Sequence, residues 1–161
     1  MTHADSTVFL VDTSVWIRLH EEIYPPDVFP TLYKHLQAAA QSGRIRSPRQ
    51  VLKELGEERG GGVGAWVRAI RPSIGVNETP RVGKLVGEIV TAFPALVKSF
   101  TGEQADPYLV ALAEEHGYTV VTEERRSLGP ASKPKLPDVC LARHVRYINT
   151  IGLLRALQIQ I

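Results

Sequence analysis

A chain of 161 residues with 43% hydrophobic and 22% charged residues has the composition of a soluble globular protein, long enough for one domain with a substantial core. No apolar run approaches the ~18 residues of a membrane-spanning helix, and the single cysteine, Cys140, cannot close an intramolecular disulfide. A net charge of +2 permits a polyanionic partner without demanding one. The opening MTHADSTVFLVD lacks the basic start and apolar segment of a secretory signal. With the reduced cysteine count, this predicts a cytoplasmic protein.

The elements alternate. Val8–Val11 is a short continuous apolar run, as expected of a strand covered on both faces. Val15–Leu19 reads as helical before YPPDVFP breaks the pattern with three prolines. Leu32, Leu36 and Ala39/Ala40 suit an amphipathic helix over Thr31–Ser42, with Gly43 as its stop. Arg44-Ile45-Arg46 is a short strand. Ser47-Pro48-Arg49-Gln50 matches a capping box with proline at the first helical position, predicting a helix from Pro48 to about Arg59. Gly60–Gly62 and Gly64 end it, and a weaker helix covers Ala65–Ile70.

Thr79-Pro80 opens a helix to about Phe93. Asp106-Pro107 repeats the device, and that helix stops at His116-Gly117. Tyr118–Val121 is again a strand, followed by a Pro- and Lys-rich loop over Leu128–Pro137. A short helix at Asp138–Arg143, a strand at Val145–Ile148 and a helix at Asn149–Leu157 complete the order. Alternating βα units predict an α/β fold with a mostly parallel sheet between helices, residues 1–161 forming one domain. Ligands in such folds sit beyond the carboxyl ends of the strands, where Asp12 would stand.

Four acids fall at element ends instead of on solvated faces. Asp12 ends the first strand, Glu54 flanks the apolar sector of its helix, Asp106 opens another helix, and Glu123 or Glu124 follows Val120-Val121-Thr122. Carboxylates gathered from several elements repel, and a hard divalent cation commonly neutralises them. Each has an ordinary reading alone: helix caps for Asp12 and Asp106, a solvated face for Glu54, a charged turn for Glu123-Glu124 before Arg125-Arg126. The joint pattern raises the odds of a site. Other chemistries lack their signatures, since no G-x-S-x-G or G-K-[ST] motif appears, Cys140 has no matched histidine, and the five histidines are scattered. The glycine run at 60–64 follows a helix and not a strand, so it reads as a helix terminator before a phosphate cradle.

Four segments together resemble the PIN-domain nucleases, the group that includes VapC-like toxins: Val11-Asp12-Thr13-Ser14-Val15, Val51-x-x-Glu54-Leu55, Ala105-Asp106-x-x-Leu109-x-Ala111-x-Ala113 and Val121-Thr122-Glu123-Glu124. Tyr24-Pro25-Pro26-Asp27-x-Phe29-Pro30 and Lys135-x-Pro137-Asp138-Val139-Cys140 resemble a particular bacterial and archaeal PIN-like branch. The resemblance implies a three-layer α/β/α domain whose carboxylates bind Mg²⁺ or Mn²⁺. It assigns Asp12, Glu54 and Asp106 to three acidic metal positions. Glu124 takes the fourth, where the family usually has aspartate, with Asp138 as a rival and Glu123 as a neighbour. Thr13 or Ser14 supplies a hydroxyl that orients Asp12.

The activity implied is metal-dependent hydrolysis of RNA by an endoribonuclease, leaving 5′-phosphate and 3′-hydroxyl ends. A toxin role with an antitoxin protein partner, and homodimer formation, follow from the resemblance alone. The alternative is a PIN-like RNA-binding or protein-interaction module without turnover. The stretch from Arg125 to Lys135 carries four cations and no acid, so Arg125, Arg126, Lys133 and Lys135 are candidate RNA contacts beside the site. Trp16 reads as core, Trp66 has no assigned place, and Tyr24 and Phe29 read as packing over the sheet edge before serving a surface.

Overall fold

Three buried residues, Phe9–Val11 (β1), form the strand around which the chain is organised. The computed structural model of the chain describes residues 6–58, 62–97, 104–128 and 133–161. Around β1 it builds a sheet in the order β2-β1-β3-β4, with β2 at Ile45–Arg46, β3 at Thr119–Val121 and β4 at Tyr147–Ile148. Every strand pairing among the described residues is parallel. Parallel neighbours need long crossovers, and the helices supply them. α1 (Thr13–Ile17) and α2 (Pro30–Gln41) connect β1 to β2. α3 (Arg49–Lys53), α4 (Gly62–Ile74), α5 (Pro80–Ala92) and α6 (Ala105–His116) connect β2 to β3. α7 (Leu136–Ala142) connects β3 to β4, and α8 (Thr150–Ala156) follows. The result is a three-layer α/β/α fold.

The chain leaves β1 to one side for β2, then returns to the other side of β1 for β3. The switch point therefore lies between the carboxyl ends of β1 and β3. That is the position that matters for function.

Local signals account for most helix boundaries. Thr79 caps α5 by accepting from the Val82 amide at 3.3 Å, Pro80 follows it, and Gly117 closes α6 at φ 71°. Two helices depart from expectation. α1 does not end near Leu19 but continues as a π-helical segment over Arg18–Ile23. α4 is longer than the weak helix expected: Gly62 opens it, Gly64 is buried inside it, and Val63, Val67, Ile70 and Ile74 bury one face at helical spacing. Arg59, Gly60 and Gly61 lie outside the described residues, as do residues 129–132 of the basic loop.

The expected capping box at Ser47 does not form. The N-cap of α3 is Pro48, with no side-chain cap. Ser47 is fully buried; its hydroxyl accepts from Trp16 Nε1 at 2.9 Å and donates to the Val11 carbonyl at 2.8 Å. A buried indole N–H without a partner is costly, and that tertiary demand overrides the local cap. Trp16 is core, as expected. Trp66, from α4, packs on it with ring centroids 5.3 Å apart and meets Tyr33 of α2 edge-on at 5.2 Å. Tyr24 and Phe29 meet edge-on at 5.1 Å, and Tyr33 Oη donates to the Tyr24 carbonyl at 2.8 Å, latching the proline-rich loop to α2. No helix among the described residues is long and apolar enough to cross a membrane.

Ser47→Ala removes the partner of the Trp16 indole and of the Val11 carbonyl at once. The expected loss is about 1–3 kcal/mol in urea unfolding. Trp16→Phe in the Ser47→Ala background should cost less than it does in the parent, because the orphaned donor is gone. Additive costs would count against this relay.

Candidate functional site

Asp12 is the first residue past β1. Its amide donates to the Val121 carbonyl at 3.0 Å, so the backbone is still held by β3 when the side chain emerges. It occupies the N-cap position of α1 yet makes no side-chain cap. Instead Asp12 Oδ2 accepts from Ser14 Oγ at 2.7 Å and from Thr122 Oγ1 at 3.0 Å. Each hydroxyl also accepts an amide from the loop after β3: Ser14 from Glu123 at 3.2 Å, Thr122 from Glu124 at 3.1 Å. The turn after β1 and the turn after β3 are thereby fastened through one carboxylate.

That carboxylate is 4% exposed. Burial pushes its pKa up from 3.8 to about 6, the Ser14 and Thr122 hydroxyls oppose the rise, and the charge of Glu124 adds to it.

Ser14 orients Asp12 as the resemblance implies, but Thr13 does not. The Thr13 hydroxyl donates to Glu54 Oε2, and Glu54 Oε1 accepts the Ala105 amide at 3.4 Å. Glu54 begins a π-helical continuation of α3 over Glu54–Glu58, a geometry frequent at functional sites. Its carboxylate bridges α1 to the start of α6. Asp106 is the second residue of α6 and not its N-cap, which is Gln104. Asp106, Glu124, Lys133 and Lys135 line one cavity of about 950 Å³.

The three rivals for the fourth acid separate cleanly. Glu123 is committed elsewhere: Oε1 accepts the Thr150 amide at 2.9 Å and Oε2 pairs with Arg18 Nε at 3.2 Å. Asp138 caps α7. Its Oδ2 accepts the Lys135 amide at 2.9 Å and the Ser127 amide at 3.0 Å, and Arg126 Nε reaches Oδ1 at 3.5 Å. Desolvation pushes the Asp138 carboxyl up, but these hydrogen bonds outweigh it and hold it below the usual range. Glu124 is the acid that shares a cavity with Asp106 and repels Asp12, while its Oε2 accepts the Leu136 amide at 3.2 Å.

Cys140 of α7 lies within reach of the charges of these acids. Its thiol is fully buried and pushed up to about 12, first by desolvation, then by the charges of Asp106, Asp12 and Glu124. Among the described residues, however, no group of three or more His, Cys, Asp or Glu side chains is arranged to hold a metal ion. Thr122 was not among the expected site residues; its signal was its place as the hydroxyl that ends β3.

The class the structure defines is a three-layer α/β/α protein with a parallel sheet. The chain belongs to the family described as Domain of unknown function (DUF4411), which matches residues 9–161. Among solved structures, the crystal structure of PAE2754 from Pyrobaculum aerophilum is similar over 96% of this chain and 98% of its own, with a TM-score of 0.57 and 18% identity. That likeness is one of fold. No curated protein matches the chain.

The Asp12 shift fixes the sign of a pH effect. A carboxyl whose folded-state pKa is raised stabilises the fold fully below pH ~4 and loses that contribution as pH rises through about 6. Above that range the ionised group costs ~3 kcal/mol relative to a carboxyl with its ordinary value. Asp12→Asn keeps the acceptor for Ser14 and Thr122 without the charge. It should raise the melting temperature at pH 8 by several degrees over the parent and erase the difference near pH 4. A variant less stable than the parent at pH 8 would contradict this.

Proposed function

We propose that the protein is a metal-dependent endoribonuclease of PIN-like type that hydrolyses phosphodiester bonds in single-stranded or loop RNA, in a cytoplasmic setting. The carrying observation is that Asp106 and Glu124, from separate elements, line one cavity, and that the charge of Glu124 bears on Asp12 at the end of β1. Their oxygen donors suit Mg²⁺ or Mn²⁺, and a cation would relieve the repulsion that Glu124 adds at Asp12. Among the described residues no group of three is arranged as a ready cage; Mg²⁺ commonly uses one or two carboxylates, with waters and substrate phosphate completing its shell. A bound ion would lower the pKa of water and offset charge on the phosphate.

The chain's own residues do the rest. Ser14 and Thr122 hold Asp12 in one orientation. Glu54 fixes α1 against the start of α6, and so sets where Asp106 stands relative to Asp12. Lys133 and Lys135, exposed on the wall that carries Glu124, supply positive charge for a phosphate backbone. A toxin role with an antitoxin partner, and a homodimeric state, belong to this proposal through the PIN resemblance alone.

A second reading, a PIN-like module that binds RNA or protein without turnover, draws on Glu124. That carboxylate already accepts the Leu136 amide and stands where aspartate would reach less far. Millimolar Mn²⁺ separates the two. In the nuclease reading Mn²⁺ raises the melting temperature of the parent and not of Asp106→Asn, the parent cleaves RNA to 5′-phosphate ends, and both Asp12→Asn and Asp106→Asn are inactive but folded. RNA binding with no metal shift and no cleavage selects the binding module.

The basic loop has its own test. Changing Arg125, Arg126, Lys133 and Lys135 together to Ala should weaken RNA binding while the Mn²⁺ shift persists. The log–log salt slope should flatten by roughly 0.7 per lost phosphate contact. An unchanged slope would return these cations to an ordinary solvated surface.

A further inference from the structure

Glu124 borders two clefts. On one side lies the cavity shared with Asp106, Lys133 and Lys135. On the other, between the ends of β3 and β4, lies a second cleft of about 300 Å³, whose lining includes Glu124, Arg125, Arg126, Tyr147 and Asn149. This is the lower end of the size range for ligand pockets.

The second cleft differs from a solvated crevice in how its polar groups are assigned. Glu123 is neutralised by Arg18 and the Thr150 amide. Arg126 is paired with Asp138 at 3.5 Å, and Asn149 Oδ1 accepts the Gly152 amide at 2.8 Å. Arg125 is exposed and has no partner among the described residues. Tyr147 is half-buried, packed against the core on one side and lining the cleft on the other. An aromatic ring packed against the core, sharing a cleft with an unpaired guanidinium that directly follows Glu124 in the chain, is the pairing that receives a nucleotide: the ring stacks a base and the cation meets a phosphate.

We propose that Tyr147 and Arg125 form a nucleotide subsite beside the acid centre, with the base of a nucleotide flanking the cut stacked on Tyr147 and a phosphate held by Arg125. The proposal rests on reading Asp12, Asp106 and Glu124 as a phosphodiesterase centre. Stacking on a ring tolerates every base, so this subsite aligns the strand and selects for single-stranded substrate, because a base within a duplex does not present its face. Arg126, paired with Asp138, lines the same cleft and is not part of the subsite.

The test uses the full chain and a short single-stranded RNA. Tyr147→Ala should raise KM at least fivefold, by the usual worth of one base stacked on an aromatic ring, roughly 1 kcal/mol or more, with the loss falling on KM and not kcat. Tyr147→Phe, which keeps the ring, should recover the affinity that alanine loses. A 2-aminopurine moved along the strand should be quenched at one fixed position relative to the cut in the parent and in Tyr147→Phe, and not in Tyr147→Ala. Arg125→Ala should weaken binding and reduce the salt slope while leaving the quenched position in place. Unchanged KM and quenching in Tyr147→Ala overturn the subsite and leave the nuclease standing. A parent that binds the RNA without cutting it, with quenching still dependent on Tyr147, overturns the nuclease and supports the subsite.

Discussion

The pairing of β1 with β3 is the constraint on which the rest depends. The two strands run parallel in the register Leu10↔Val120 and Val11↔Val121. Their carboxyl ends therefore point the same way, and Asp12 and Thr122 emerge side by side. From that adjacency follow the hydroxyl on Asp12, the amide on each hydroxyl, and the position of Glu124 two residues on. A slip of one residue would turn every side chain of a strand to the opposite face. β1 is apolar on both faces, so its burial alone would tolerate such a slip; the ladder, the Ser47 hydroxyl on the Val11 carbonyl and the Asp12 fastening fix the register.

Holding Asp12 there is costly. A carboxylate is buried among apolar residues and close enough to Glu124 to feel its charge, and two hydroxyls offset only part of that. Stability by itself would be better served by a neutral side chain at position 12. Proteins retain unfavourable arrangements of this sort mostly where they are used.

Much of this order was legible from residues alone. Prolines at helix starts, the Thr79 cap, the glycines after α2 and α6, and apolar strand runs bounded by turns all act within a few residues, so the elements and the α/β class could be read without a structure. What could not be read were obligations across long separations. Ser47 satisfies every local rule for a cap, and Trp16, 31 residues away, claims its hydroxyl instead. Thr13 and Ser14 are interchangeable as local hydroxyls, and only Glu54, 41 residues from Thr13, separates them. Among Glu123, Glu124 and Asp138, the choice depends on Arg18 and on the amides of Lys135 and Ser127, none of which announces itself in the sequence. The chemistry drawn from the acids came from a resemblance of motifs, and membership in DUF4411 neither names an activity nor removes one.

The charge distribution links the proposed metal to the proposed substrate. A net charge of +2 over 161 residues gives little long-range attraction for a polyanion, so attraction must be local. The local pattern is a ridge of carboxylates with cations on both flanks, Lys133 and Lys135 on one side and Arg125 on the other. A phosphodiester crossing that ridge meets favourable charge at its neighbours and unfavourable charge at its centre. In the proposed nuclease, the acids alone would oppose a phosphate at the centre, and with a bound cation they would attract it through the ion. Reciprocity then requires that whatever factor the ion adds to RNA affinity, RNA adds to the affinity for the ion. Among the described residues no three acids form a complete cage, and in the proposed reading the substrate phosphate would supply further donors to the ion.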